Sequence, residues 1–170
     1  MAIAAGAPIA ASDVLDMLPR WATKALNTAR QSTTTYVDDP ELASISLTAG
    51  TYNIELMLFY IVASTTPKLK TNWGFSGTWN TPIRLCQGPG STNTSSPEAS
   101  TPSTFRGYTT AQDATYNSST SGAFSGVVER AQNVVVTATG NLSLKWAQVT
   151  STASDVSVLT GTGFRIQKIS

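Results

Sequence analysis

The stretch "TYNIELMLFYIVAS", residues 51 to 64, constrains this chain more than any other. From Leu56 to Ala63 the only side-chain oxygen or nitrogen is the Tyr60 hydroxyl. A membrane-crossing helix needs roughly 20 apolar residues. This run ends at Ser64-Thr65-Thr66-Pro67 and begins beside Asn53 and Glu55, so a transmembrane helix is excluded. The run is also short for a buried helix and rich in aromatic and branched residues, which fit a pleated sheet better. Read as a strand, Tyr52, Ile54, Leu56, Leu58, Tyr60 and Val62 fall on one wholly apolar face. The opposite face runs Asn53, Glu55, Met57, Phe59, Ile61, Ala63, polar at first and apolar later. Such a strand lies on a sandwich core with one side. Part of its second side must also be covered, by a loop, a neighbouring element or another subunit.

The chain downstream of Thr33 keeps this character. "LASISLT" alternates, and so does "PKLKTNWGFSGTW", with Leu69, Thr71, Trp73 and Phe75 on one side. Leu142, Leu144 and Trp146 share a face, as do Phe164 and Ile166. Gly140-Asn141 between "VVVTAT" and "LSLKWAQV" reads as a two-residue hairpin turn. Residues 87 to 104 and 110 to 122 read as long polar loops. The expectation is an all-β antiparallel sandwich over residues 33–170, of eight to ten strands, jelly-roll-like.

Residues 1 to 32 differ. Ser12 is a plausible N-cap, with Asp13 and Asp16 in the first turn, where the helix dipole favours negative charge. Val14, Leu15, Met17 and Leu18 supply an apolar side, Pro19 ends or bends the helix, and Trp21, Ala22, Ala25 and Leu26 continue the apolar pattern. A helix this short needs a surface to dock on. That surface is either its own β-domain or a partner. Val14, Leu15, Met17, Leu18 and Trp21 are the candidate anchoring residues. The N-terminus has no basic region, and Gly6 and Pro8 interrupt its apolar stretch, so it does not read as a signal peptide.

Composition removes several function classes. The chain contains no histidine, which excludes Ser-His-Asp and Cys-His catalysis, histidine zinc sites and the commonest general base. Charged residues make up 12% of the 170 and the net charge is +1, giving no electrostatic reason to bind nucleic acid or a membrane surface. With one cysteine, Cys86, no intrachain disulfide forms, and Cys86 itself reads as a small buried hydrophobe. Asp38, Asp39 and Glu41 form the one carboxylate cluster. They fit either a Ca²⁺ site or, more simply, a polar turn around Pro40. Asn93, Asn117 and Asn141 head glycosylation sequons, which read as chance in a chain this rich in Ser and Thr. No cofactor, metal or catalytic residue is expected. Trp79, Tyr108 and Tyr116 are the candidate ligand surface, aromatic faces on which sugar rings stack.

Several stretches carry a family likeness. "AGAPIAASDVLDMLPRWATKA", "STTTYVDDPEL", "LTAGTYNIELMLFY", "LKTNWGF", "GNLSLKWAQVTS" and "VLTGTGFRIQKI" occur in this order over most of the chain. In this it resembles the small structural proteins of tailed phages of actinobacteria. The resemblance implies a virion protein of the minor tail or head appendage kind, with a β-sandwich that readily forms trimers. Under it, the expected role is a capsid decoration or head-appendage subunit, made in the host cytoplasm and assembled into the virion. It would be a homotrimer, anchored through residues 1–32 to the major capsid protein or another virion component. Met57, Phe59 and Ile61 would form the intersubunit face. The alternative is a tail-fibre or minor tail protein that binds host-surface carbohydrate. An enzyme is least expected, for want of histidine.

Overall fold

The chain is described by a computed structural model covering residues 18–90, 103–110, 112–117, 122 and 124–170. In chain order the strands are β1 (Arg20–Thr23), β2 (Thr28–Arg30), β3 (Val37–Asp38), β4 (Ile45–Leu47), β5 (Gly50–Val62), β6 (Leu69–Phe75) and β7 (Thr78–Trp79). They continue with β8 (Ile83–Pro89), β9 (Ser103–Thr109), β10 (Ala114–Tyr116), β11 (Phe124–Ala138), β12 (Gly140–Gln148), β13 (Val156–Val158) and β14 (Gly163–Lys168). Every pairing is antiparallel. No helix occurs among the described residues, and so none that could cross a membrane.

Two sheets result. The large one runs β1-β14-β5-β11-β8-β9, with β2, β13 and β7 attached to its sides. The small one runs β10-β6-β12-β3, with β4 also on β12. Alternation decides which residues meet between them. Tyr52, Ile54, Leu56, Leu58, Tyr60 and Val62 of β5 are at most 3% exposed, and they face Leu69, Trp73, Leu142, Leu144 and Trp146 of the small sheet in one core. Trp73 meets Phe164 edge-on across the sheets, ring centroids 5.3 Å apart. The sandwich-like, all-β architecture read from periodicity is therefore present.

Three local readings are corrected. Trp21, expected on a continuation of the N-terminal helix, lies in β1, where it pairs with Arg165. Residues 20–23 and 28–30 form strands of the large sheet rather than a separate segment, because their backbone finds partners in β14 and β13. Val14, Leu15 and Met17, with the proposed N-cap, lie outside the described residues. Secondly, Gly140-Asn141 is no hairpin: β11 pairs with β5, β7 and β8, whereas β12 pairs with β3, β4 and β6. The link at Thr139 carries the chain from one sheet to the other. Gly140 is glycine for a packing reason, since a Cβ there would sit 2.1 Å from the Gly77 nitrogen. Thirdly, both polar loops shrink, with Gln87–Pro89 in β8 and Ala114–Tyr116 forming β10. Three residues such as Ala-Thr-Tyr are too few to show a period.

β11 carries one interruption. Its register against β5 shifts between Ala131 and Val134, so Gln132 and Asn133 bulge out of the ladder. Asn133 takes φ 53°, a left-handed conformation that asparagine tolerates. Its N–H donates to Asn53 Oδ1 at 3.3 Å.

Candidate functional site

The outward faces of β5, β8, β9 and β11 form one continuous surface. Register places Phe105, Gln87, Val128 and Met57 in a row across the four strands, with Leu85, Arg130 and Glu55 in the next. Ile83 is 61% exposed, Leu85 43%, Phe105 68% and Phe124 65%. These are large apolar side chains that single soluble chains seldom leave open side by side. Phe124 stacks on Phe59 at 5.5 Å, so Phe59 is half covered from within the chain. A concavity of about 330 Å³ opens among Ile83, Leu85, Phe105 and Val128. The expected intersubunit residues Met57, Phe59 and Ile61 thus lie together, half-buried, on an apolar outer face. Sequence reading missed Phe105, Phe124, Ile83 and Leu85. Each alternates with residues that face inward, a signal that was there, but sequence does not say that β8 and β9 extend the sheet beside β11.

The edges of that sheet are less open to pairing. β9 is an outer strand, and its Arg106, opposite buried Cys86, points to the core side while remaining exposed. A charge turned inward at an edge discourages a further strand.

The expected ligand surface does not assemble. Tyr116 is 2% exposed, standing in β10 opposite Leu69, so it is core and not surface. Trp79 is half-buried and stacks on Phe75 with centroids 4.8 Å apart. Tyr108 packs against the core opposite Arg84. All three stand on the inner side of their strands, where the alternation of short strands in Ser- and Thr-rich sequence gave no guide. Leu18, 55% exposed, lies instead in a cleft of about 210 Å³ with Arg20, Tyr52 and Lys168.

Two buried polar clusters account for residues that sequence left ambiguous. Lys24, 2% exposed, donates from Nζ to Asp39 Oδ1 at 2.8 Å, Glu41 Oε2 at 3.2 Å and Thr28 Oγ1 at 3.0 Å. Asp39 Oδ2 accepts from Trp146 Nε1 at 3.1 Å, and Glu41 accepts from the backbone N–H groups of Ala25 and Leu26. These last bonds, with Lys24, hold the Glu41 carboxyl below its ordinary pKa. The Lys24 ammonium lies between the Asp39 and Glu41 carboxylates, so the acidic turn works as a clasp for residues 24–28. Arg30 lies over Trp146, 3.9 Å from its ring centroid, and fastens β2 in the same way.

The second cluster joins the sheets. Glu129 on β11 is fully buried and accepts from Arg84 Nη1 of β8 at 2.8 Å, Tyr116 OH of β10 at 2.9 Å and Thr71 Oγ1 of β6. Arg84 Nη2 donates to the Gln112 carbonyl at 2.7 Å. Cys86 is also buried, and burial followed by the Glu129 charge pushes its thiol up to about 12. A carboxylate, a phenol and a thiol closed off in this way are structural groups. Among the described residues no group of three or more Cys, Asp or Glu is placed to hold a metal ion.

No family model matches the chain, and no curated protein and no solved structure matches it either.

Proposed function

We propose that the chain is a structural virion protein of a tailed phage, a capsid decoration or head-appendage subunit that works as a homotrimer. The observation that carries the reading is the apolar outer face centred on Met57, Phe59 and Phe124. Its occupant is a second copy of the same chain, repeated around a closed three-fold arrangement. With one buried cysteine and few charges, the fold gains from burying this face what other small proteins gain from cross-links. In this role the chain carries out no catalytic step. Its remaining partner is the major capsid protein or another virion component, reached through Val14, Leu15, Met17 and Leu18, while Trp21, paired into β1, stays outside that contact.

Strand order supports a jelly-roll topology. Without the short β2, β7 and β13 and the β8–β9 hairpin, and with β3 and β4 taken as one, eight strands remain: β1, β3/β4, β5, β6, β10, β11, β12 and β14. Numbered one to eight in that order, β1-β14-β5-β11 reads 1-8-3-6 and β3-β12-β6-β10 reads 2-7-4-5. That is the order two interlocked Greek keys produce, in a fold used by viral capsid and lectin domains alike. The β8–β9 hairpin is then an insertion that enlarges the apolar face.

Light scattering coupled to size exclusion tests the assembly. A mass of three times 17.9 kDa is expected. Phe59→Asp combined with Phe124→Asp is expected to give 17.9 kDa with unchanged far-UV circular dichroism. A wild-type monomer at every concentration, on its own and on particles lacking the subunit, refutes the reading.

A further inference from the structure

We propose that the polar end of the same outer face is a saccharide-binding cleft selective for acidic sugars, in which Arg165 receives the sugar carboxylate and Trp21 stacks on the ring.

The cleft has a volume of about 270 Å³ and is lined by Ile54, Ala131 and six polar residues, Asn53, Glu55, Arg130, Gln132, Arg165 and Gln167. Each of the six ends in a planar group that forms paired hydrogen bonds. This concentration stands out in a chain whose charged residues make up only 12%. The β11 bulge produces the concavity. It takes Gln132 and Asn133 out of the ladder opposite Asn53, and Asn53 satisfies the Asn133 N–H with its carbonyl oxygen, which leaves its amide N–H donors available.

Register sets the electrostatics. Trp21, Arg165, Glu55 and Arg130 form one row across β1, β14, β5 and β11. Arg130 pairs with Glu55, whereas Arg165 forms no ion pair among the described residues. The row therefore carries one uncompensated guanidinium, whose fork matches a carboxylate in two parallel bonds. Nor do the side chains of Gln132, Arg165 and Gln167 make any hydrogen bond to a described residue. Amides and a carboxylate that is 22% exposed, each with adjacent donors or acceptors, suit vicinal ring hydroxyls. Trp21 stands one strand beyond the cleft's lining, paired with Arg165 and 56% exposed, where it supplies an apolar face for the C–H groups of a ring that reaches past Arg165. A protein partner would instead want a desolvated apolar centre, which the other half of the face has and this half lacks. A polyphosphate chain meets the Glu55 charge and only one free cation.

The inference does not rest on the trimer. The test is calorimetric titration of the full chain with a glucuronic-acid tetrasaccharide, with a neutral glucose tetrasaccharide and sodium acetate as controls. Saturable binding of the uronate in the millimolar range or tighter is expected, with the neutral sugar about tenfold weaker. Arg165→Ala is expected to weaken the uronate about tenfold or more, Arg165→Lys to restore part of it, and Trp21→Ala to weaken both sugars, all without a change in thermal midpoint. Absence of saturable uronate binding overturns the proposal. So does acetate binding as tightly as the tetrasaccharide, equal affinity for the neutral sugar, or indifference to Arg165→Ala. Light scattering in the same buffer, repeated on particles lacking the subunit, separates the two proposals: a trimer that ignores uronate removes the cleft alone, and a chain that binds uronate but stays monomeric in both settings removes the assembly alone.

Discussion

Replacing Arg84 by methionine removes the guanidinium from the cross-sheet cluster and leaves Glu129 as a fully buried carboxylate. Glu129 keeps the donors Tyr116 OH and Thr71 Oγ1 but loses its only cation among the described residues, at 2.8 Å. Breaking a buried pair from one side costs about 3–5 kcal/mol, against about 5–15 kcal/mol for a whole domain. For a chain of this size that is a fall in thermal midpoint of roughly 6–20 °C, at about 2–4 °C per kcal/mol. The pair is not fully satisfied either. Arg84 Nε and Trp73 Nε1 are buried donors without an acceptor among the described residues. Removing both charges should therefore restore much of the loss. Arg84→Met with Glu129→Gln keeps an oxygen for Tyr116 and Thr71, and is expected to be at least about 2 kcal/mol more stable than the sum of the two single losses. Urea unfolding followed by circular dichroism measures all four corners of the cycle, with equal slopes confirming that the unfolded state is unchanged. An Arg84→Met loss under about 1 kcal/mol, or strict additivity, refutes the claim that this ion pair ties the sheets together.

Two further outcomes follow from the buried groups. Burial raises the Cys86 thiol to about 12 and lifts the Tyr60 and Tyr116 phenols above their ordinary value, so the folded chain holds protons that the unfolded chain gives up. The thiol's contribution is complete below its unfolded value of about 8.5 and fades as pH rises through about 12, and that of the phenols is complete below their unfolded value of about 10 and fades above it. The urea midpoint is expected to fall steadily from about pH 9 to pH 11 while native Cys86 resists iodoacetamide at about pH 8, and a rising midpoint or fast native labelling contradicts this. Lys24→Met strands the buried Asp39 carboxylate and is expected to cost about 3 kcal/mol or more. Amide exchange in residues 24–30 should quicken beyond the global loss, and exchange that follows the global loss alone would show that the acidic turn is no clasp.

The strands with an unbroken apolar face were legible because each repeats its alternation often enough to show which face is buried, whereas β8 and β9, seven residues each but broken by Gly, Ser and Thr, were not. β5, β6 and the Leu142–Trp146 stretch have the inward faces their patterns predict. Tyr116 and Trp21 were misread for the opposite reason. Each sits in a strand of three or four residues, stabilised by pairing with a distant segment rather than by its own pattern. The acidic turn at Asp38–Glu41 was visible as a cluster, but its cation, Lys24, lies 15 positions before Asp39.

Composition and local periodicity were enough for the all-β class, the core face of β5, the absence of histidine chemistry and the burial of Cys86, since these depend on residue type and on near neighbours alone. Tertiary structure decided the rest. It decided that Gly140 marks a crossing between sheets, that Glu129 holds both sheets and that the β8–β9 hairpin extends the apolar face. It also set Trp21, Arg165, Glu55 and Arg130 in one row. Each of these depends on which distant strands lie side by side, a choice made by the burial of the whole core and not written in any local stretch.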